Sequence, residues 1–503
     1  MKNFLWIVIT GGTFAFFAAM GIGANDVANA YATSVGSKAL TMKQAVVLAV
    51  IFESAGAILM GSHVSETIRK DIADYHCFEE QPELLMYGCM YVVLCVGIWL
   101  FLASYLEMPV STTHSCVGGM IGMTLVLGGS ECVMWYSHKD TFPYIGGVGG
   151  IVLSWVLSPL LSAIIASSIF YLTRLYILRH SFESNRLLYF YPIVIGSTVT
   201  LNTFFIIYKG AKGLNLHKIS IETAVGWAFG SGAISAICIL PFVPKVHKYV
   251  KDKYKSKPIA INIEIPTLDN GGNELSEIVP CEENLICDIS HNRMSEDAFL
   301  KNLQITNEKE GQRIINLHHN AEKFDERTEE VFKYLQIFTA ICDSFSHGAN
   351  DVANSIGPFA AIFTIWKIGR VEEDSVMNEN AYWILSIGGI GISLGLLLYG
   401  YKIMIAIGSK LCKITPSRGV AIELGSALVI IAGSRLKIPL STTHCQIGAT
   451  VGVGLLEDTK NCSGINCKIF IKTIIGWGLT LIVVGSSTAL LVAQGIYGPS
   501  IWD

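Results

Sequence analysis

Apolar and polar positions along this 503-residue chain fall into long alternating blocks. Seven apolar segments come first, at roughly 4–22, 44–62, 84–106, 111–128, 145–172, 187–208 and 222–243. A strongly polar block follows, and then five more apolar segments at roughly 332–348, 381–402, 417–434, 440–457 and 471–494. Runs of about 18–25 apolar residues, wound as helix, cross a hydrocarbon core of about 30 Å. Only helices and closed barrels satisfy their backbone polar groups there, and the alternating ~10-residue segments of a barrel are missing. The pattern predicts an all-α polytopic membrane protein of about 12 transmembrane helices. The first segment carries one lysine, an apolar run and small residues, like a signal peptide. We read it as a retained span, because cleavage there would fall just upstream of a motif at Gly23 that has an intact twin later in the chain.

The polar block divides the chain into three parts. Residues 1–244 form an N-terminal membrane block, 245–330 a hydrophilic loop and 331–503 a C-terminal membrane block. The loop is rich in Asp, Glu and Asn and poor in aromatics, a composition that buries too little apolar surface to fold, so it is expected to be mostly disordered. A helix is expected from about Gln312 to Leu335, leading into the next span. Lys245, Lys248, Lys251, Lys253, Lys255 and Lys257 directly follow the seventh segment. Basic residues flanking spans stay on the cytoplasmic side, which puts the loop inside and, by span counting, both termini outside. Lys209, Lys212 and Lys218 fall outside in this scheme and oppose it. The same scheme puts Cys77 and Cys132 in outside loops, where they can be bridged, and the sequon Asn461-Cys462-Ser463 inside, where it stays unglycosylated.

Composition agrees with the pattern. The chain is 51% hydrophobic and 15% charged, against about a quarter charged in soluble domains. A net charge of −4 gives no reason to expect nucleic acid. The cysteines show no zinc spacing, and no cofactor is expected.

Two duplications change the picture most. Gly23-Ala24-Asn25-Asp26-Val27-Ala28-Asn29 recurs as Gly348-Ala349-Asn350-Asp351-Val352-Ala353-Asn354, 325 residues on. Pro109-Val110-Ser111-Thr112-Thr113-His114 recurs as Pro439-Leu440-Ser441-Thr442-Thr443-His444, 330 residues on. Near-equal offsets mean that both motifs were duplicated together. Each repeat holds five spans, and the sixth and seventh spans are extra. The first copy starts outside and the second inside, so the repeats are inverted, with broken or re-entrant helices and a midplane site at their interface.

The motifs suit ion handling. An ionised Asp at mid-span costs about 2.5–3.5 kcal/mol on insertion scales, so Asp26 and Asp351 are expected to act rather than to fill space. With Asn25 and Asn350 they could hold Na⁺ or a shuttled proton. Asn29 and Asn354 lie one turn on, and their amides serve either sign of ion. A helix starting near Asn25 would aim free N–H groups at the site. Ser111 and Ser441 can cap helices, and with Thr112, Thr113, Thr442 and Thr443 they form two donor-rich nests for an oxyanion. His114 and His444 can serve structure or can handle protons or substrate. Glu53 and Glu423 lie in other spans, are not repeat mates, and are expected to couple ions or support the motifs. From these residues alone the chain is an inverted-repeat transporter for an ion pair or an oxyanion. A divalent-metal transporter is the first rival. An intramembrane serine hydrolase is the second, disfavoured because the whole set is duplicated.

These residues resemble the PiT family of inorganic phosphate transporters. The likeness takes in both motif pairs and also T-S-V-G at 33–36, S-E-T-I-R-K at 65–70, S-H-G-A-N-D-V-A-N-S-I-G-P at 346–358 and T-P-S at 415–417. It implies phosphate symport with Na⁺, or less readily H⁺, across the plasma membrane. The motif Asp, Asn, Ser and Thr residues are then at the site, and the glutamates matching Glu53 and Glu423 are important. Sulfate would satisfy much of the same nest. The lipid bilayer is the medium, and a homodimer is a candidate assembly.

Overall fold

The computed structural model describes residues 2–62, 72–138, 144–181, 186–208, 219–255, 262–268, 274–280, 308–371, 382–436, 438, 440–457 and 464–498. The sequon at Asn461, the S-E-T-I-R-K stretch at 65–70, Lys209, Lys212, Pro439 and the side chain of Asn29 lie outside the described placements.

Helices dominate. In the first block they are α1 (Leu5–Asn25), α2 (Val27–Gly36), α3 (Met42–Met60), α4 (Pro82–Tyr105), α5 (Thr112–Leu127), α6 (Gly147–Thr173), α7 (Arg186–Ile207) and α8 (Ile221–Ile239). The polar block contributes α9 (Val243–Lys255) and α10 (Glu308–Asn320). The second block has α11 (Glu326–Ile368), α12 (Tyr382–Tyr399), α13 (Tyr401–Lys410), α14 (Pro416–Arg435), α15 (Thr442–Leu455) and α16 (Cys467–Tyr497). Local chemistry sets several ends. Thr41 and Gln44 form a capping box on α3, Pro82 opens α4, and Gly369 closes α11 in the left-handed region at φ 85°. Among the described residues, strands form two short antiparallel pairs, β1 (Ser137–His138) with β2 (Ile145–Gly146) and β3 (Asn262–Leu268) with β4 (Glu274–Pro280). The second pair lies in the block whose composition predicts little structure.

Every one of the twelve expected segments is a helix, yet among the described residues nine helices are long and apolar enough to span a bilayer. The other three differ for physical reasons. At 16 and 14 residues, α5 and α15 reach about 24 and 21 Å. The 43-residue α11 carries the charged second motif through its middle, which lowers its hydropathy. Large apolar side chains face outward around the molecule, including Ile9, Val156, Leu160, Ile482 and Leu490, as lipid contact demands.

The short helices are arms of hairpins. Gly88 of α4 meets Met123 and Leu127 of α5, while Gly119 meets Val92, so the two helices run antiparallel and turn at 106–111. The base of this hairpin is tied by the Cys77–Cys132 disulfide, the pairing expected from the loop positions, and by the Ala73–Val133 bridge. The second hairpin is α14–α15, and its base is tied by a buried ion pair between Arg418 and Glu457 at 2.6 Å. The inversion is visible in α1 and its mate α11. Asp26 and Asp351 share the centre, whereas Gly11 lies against Ile362 and Phe359, so the mates run in opposite directions. The repeats interlock: α5 packs on α16, and α15 on α6.

The single helix expected from Gln312 to Leu335 is interrupted at 321–325. Side chains take the backbone groups there: Arg418 donates to the Glu322 carbonyl at 2.9 Å, and the Glu322 N–H donates to Glu457 at 2.7 Å. Partial burial works against the ionised Glu322 carboxyl, but Arg179, Arg174 and Arg418 overcome it and hold the group below the usual carboxylate range.

Candidate functional site

The two hairpin tips meet at the centre of the bundle against the mid-portions of α1 and α11. Glycine makes this approach possible at the head of each G-A-N-D motif. A Cβ on Gly23 would sit 1.8 Å from the Ile392 carbonyl oxygen of α12, and one on Gly348 would sit 2.2 Å from the Glu53 carbonyl oxygen of α3. The motif glycines therefore seat each repeat's first helix on the other repeat.

Asp26 and Asp351 are buried and face the tips. Thr112 donates its hydroxyl to Asp26 at 2.7 Å, and its N–H points to the same oxygen at 3.4 Å. Thr442 donates to Asp351 at 2.8 Å. Thr443 crosses to Asp26, and Thr112 lies 3.5 Å from Asp351. The second threonines also link the tips reciprocally: Thr113 donates to the Leu440 carbonyl at 3.1 Å and Thr443 to the Val110 carbonyl at 3.2 Å. Asn354 donates to the hydroxyls of Thr112 and Thr113 at 2.9 and 3.4 Å. Ser111 and Ser441 cap α5 and α15, accepting from the N–H of His114 and His444.

One expectation needs refining. In the first copy α2 does begin close to Asn25, at Val27, but Asp26 keeps helical backbone angles and its N–H bonds the Ile22 carbonyl at 2.8 Å, while in the second copy α11 runs unbroken through Asp351. The available helix N-termini belong to α5 and α15, three residues after Pro109 and Pro439, because the serine caps set the start. Asn25 and Asn350 also engage the hairpins. Asn25 donates to Ser104 at 3.1 Å and to the Met108 carbonyl at 3.0 Å, and accepts from the Val110 N–H at 3.0 Å. Asn350 donates to the Leu440 carbonyl at 3.2 Å and to Asp351 at 2.8 Å, and accepts from Ser434 at 3.1 Å.

The two glutamates occupy separate polar clusters. Glu53 accepts from Ser344 at 3.0 Å and lies 3.0 Å from His347 Nδ1, while His347 Nε2 lies 3.1 Å from Asp351. This carboxylate–imidazole–carboxylate chain is fully buried. Glu423 accepts from Thr33 at 2.6 Å, Ser34 at 2.9 Å, Gln336 at 3.1 Å and Thr339. Sequence reading assigned no role to His347, Asp343, Gln336 or Thr339. The signal was available, since Asp343, His347 and Asp351 stand at four-residue spacing on one face of a helix that continues the apolar segment expected at 332–348. Donor atoms of Asp26, His347 and Asp351 lie within 4.8 Å of one another, close enough to share one cation.

Crossed hairpins meeting around a buried acidic and hydroxyl-rich centre define an α-helical membrane transporter of the inverted-repeat type. Residues 22–487 match the phosphate transporter family. The chain is 30% identical to the phosphate-repressible phosphate permease pho-4 of Neurospora crassa over 99% of both proteins. It is 27% identical to sodium-dependent phosphate transporter 1 of Mus musculus over 97% of this chain and 95% of that one. A solved structure described as the sodium-dependent phosphate transporter superposes with a TM-score of 0.73 at 29% identity, covering 98% of this chain and all of that one. The chain belongs to the phosphate transporter family. It is an integral membrane protein that transports phosphate and is not an enzyme.

Proposed function

We propose that the chain moves inorganic phosphate into the cell by symport with Na⁺. The observation that carries this reading is the pairing of Asp26 and Asp351 with the threonines of both hairpin tips. Phosphate at neutral pH carries between one and two negative charges. Placing it beside two carboxylates in a low-dielectric core is prohibitive unless cations enter with it. Hydroxyl and carboxylate oxygens suit a hard cation such as Na⁺. Thr112, Thr113, Thr442 and Thr443, with the N-termini of α5 and α15, supply the anion's donors once the carboxylates turn to the cations. Asn25 and Asn350 hold the tips, and Asn354 steadies the first threonine pair. Glu423 supports α2 and α11 from one side, and Glu53 supports Asp351 through His347. The names of the mouse relative and of the solved structure support sodium as the coupling ion. The Glu53–His347–Asp351 chain is the observation that favours H⁺ as the second reading.

The bases of the hairpins support an orientation. The disulfide at Cys77–Cys132 suits an oxidising exterior. Arg174, Arg179, Lys413 and Arg418 gather at the opposite base together with the end of the central loop, which suits the cytoplasm. The loop is then inside, both termini are outside, and the membrane is the plasma membrane. The test is radiolabelled phosphate uptake into proteoliposomes with Na⁺ and pH gradients imposed separately. Uptake is expected to follow the Na⁺ gradient and to vanish in Asp26→Asn and Asp351→Asn at unchanged protein content. Uptake by either variant at the wild-type rate, or uptake driven by the pH gradient alone, would overturn the reading.

A further inference from the structure

His114 and His444 stand at the third position of α5 and α15, directly after the threonine pairs, and both are buried. Their rings meet edge to face with centroids 4.6 Å apart. Each ring makes a second and a third contact in a crossed pattern. His114 Nδ1 lies 3.2 Å from the Trp477 carbonyl of α16, while its ring packs on Trp155 of α6 at 3.7 Å. His444 Nδ1 lies 3.0 Å from the Trp155 carbonyl of α6, while its ring stacks on Trp477 of α16 at 3.6 Å. A carbonyl only accepts, so each Nδ1 carries the proton and each Nε2 keeps a free lone pair. The Nε2 atoms of both histidines and the indole nitrogens of both tryptophans are buried without hydrogen-bond partners, so within this quartet the Nδ1 bonds alone set direction. The effect is a brace across the pseudo-two-fold axis: the first turn of each short helix is fastened to the long helix after the other short helix.

We infer that His114 and His444 are positioning residues for phosphate, setting the separation of the two threonine pairs through crossed Nδ1–H bonds to the tryptophan carbonyls. The inference rests on the phosphate-nest reading given above. The first turns of α5 and α15 otherwise meet through Thr113 to the Leu440 carbonyl and Thr443 to the Val110 carbonyl, and those hydroxyls must let go when an anion takes them. The histidine bonds involve no group that the anion needs, so they hold the spacing while the threonines change partners. A tetrahedral anion is gripped from two sides, and an altered gap changes how well one oxyanion fits relative to another.

The test separates the two ring nitrogens. Asparagine places an N–H near the Nδ1 position, glutamine reaches the Nε2 position, and phenylalanine keeps the ring without either. Phosphate uptake and its inhibition by sulfate are measured in proteoliposomes for His114→Asn, His114→Gln and His114→Phe, and for the same changes at His444. For the Gln and Phe variants the apparent KM for phosphate is expected to rise roughly tenfold, as loss of one buried hydrogen bond implies, with the ratio of sulfate to phosphate affinity altered. The Asn variants are expected to restore both KM and the ratio. Rescue by Gln in place of Asn would overturn the proposal by making Nε2 the working atom. A fall in maximal rate at constant KM and constant ratio would overturn it by showing a merely structural role. Thr112→Val and Thr442→Val run alongside. If they leave KM unmoved, the nest reading falls and the inference with it; if they raise KM while every histidine variant behaves as wild type, the positioning role alone falls.

Discussion

Replacing Asn25 by alanine isolates the seating of the first hairpin tip. Asn25 is completely buried, and its amide makes three bonds to the tip: to the Ser104 hydroxyl, the Met108 carbonyl and the Val110 N–H. Ser104 keeps its own bond to the Leu100 carbonyl, so it loses little. Val110 is completely buried, and stranding its N–H costs about 1–3 kcal/mol. The Met108 carbonyl is only half-buried and can take water, which adds about 1 kcal/mol. The sum, about 2–4 kcal/mol, weakens the seated tip by roughly 30- to 1000-fold in equilibrium terms. Asn350→Ala in the mate position should cost less, because the Leu440 carbonyl still accepts from Thr113. The assay is phosphate uptake in proteoliposomes, with apparent KM determined for both variants and protein amount controlled by quantitative blotting. Asn25→Ala is expected to raise KM by at least about tenfold and Asn350→Ala by a few-fold. An unchanged KM in Asn25→Ala, or a larger effect at Asn350 than at Asn25, would refute the idea that these amides act by holding the tips.

Two further outcomes follow from packing and covalent linkage. Gly348→Ala inserts a Cβ 2.2 Å from the Glu53 carbonyl oxygen, so α11 must move off α3. Backbone cannot yield as a side-chain end can, and a loss of about 2–4 kcal/mol is expected as a fall in detergent-solubilised Tm together with lost uptake; a variant with wild-type Tm would count against this close approach. Cys77→Ser opens the base of the first hairpin by removing a link between positions 55 residues apart. A cost of about 2–4 kcal/mol is expected, with lower thermal stability and faster proteolysis of the 128–146 region, while the phosphate KM of the surviving protein stays unchanged because the tips lie at the other end. A shifted KM with unaltered stability would contradict that separation.

Much of this arrangement is legible in the residues alone. Block hydropathy marks twelve of the helices, because a segment buried in a membrane must be apolar along its length whatever it packs against. The paired offsets of 325 and 330 identify the repeat, and lysine placement with span parity predicts its inversion, which α1 and α11 display. Asp26, Asp351 and the four motif threonines stand out because charge and clustered hydroxyls are costly inside a membrane, and the folded chain brings all six together. Length alone could not show that α5 and α15 are short arms of hairpins, since a tight turn at 106–111 and a loop between two spans look alike in hydropathy. Nor could it show that Asn25 and Asn350 face backbone, because an amide serves an ion and a carbonyl equally well. His347 and the Trp155–Trp477 pair acquire meaning only when distant helices bring a carboxylate or a carbonyl to them. Local periodicity records what each segment must bury; partners hundreds of residues apart are chosen by the packing of one repeat into the other, and that choice leaves no mark on either segment alone.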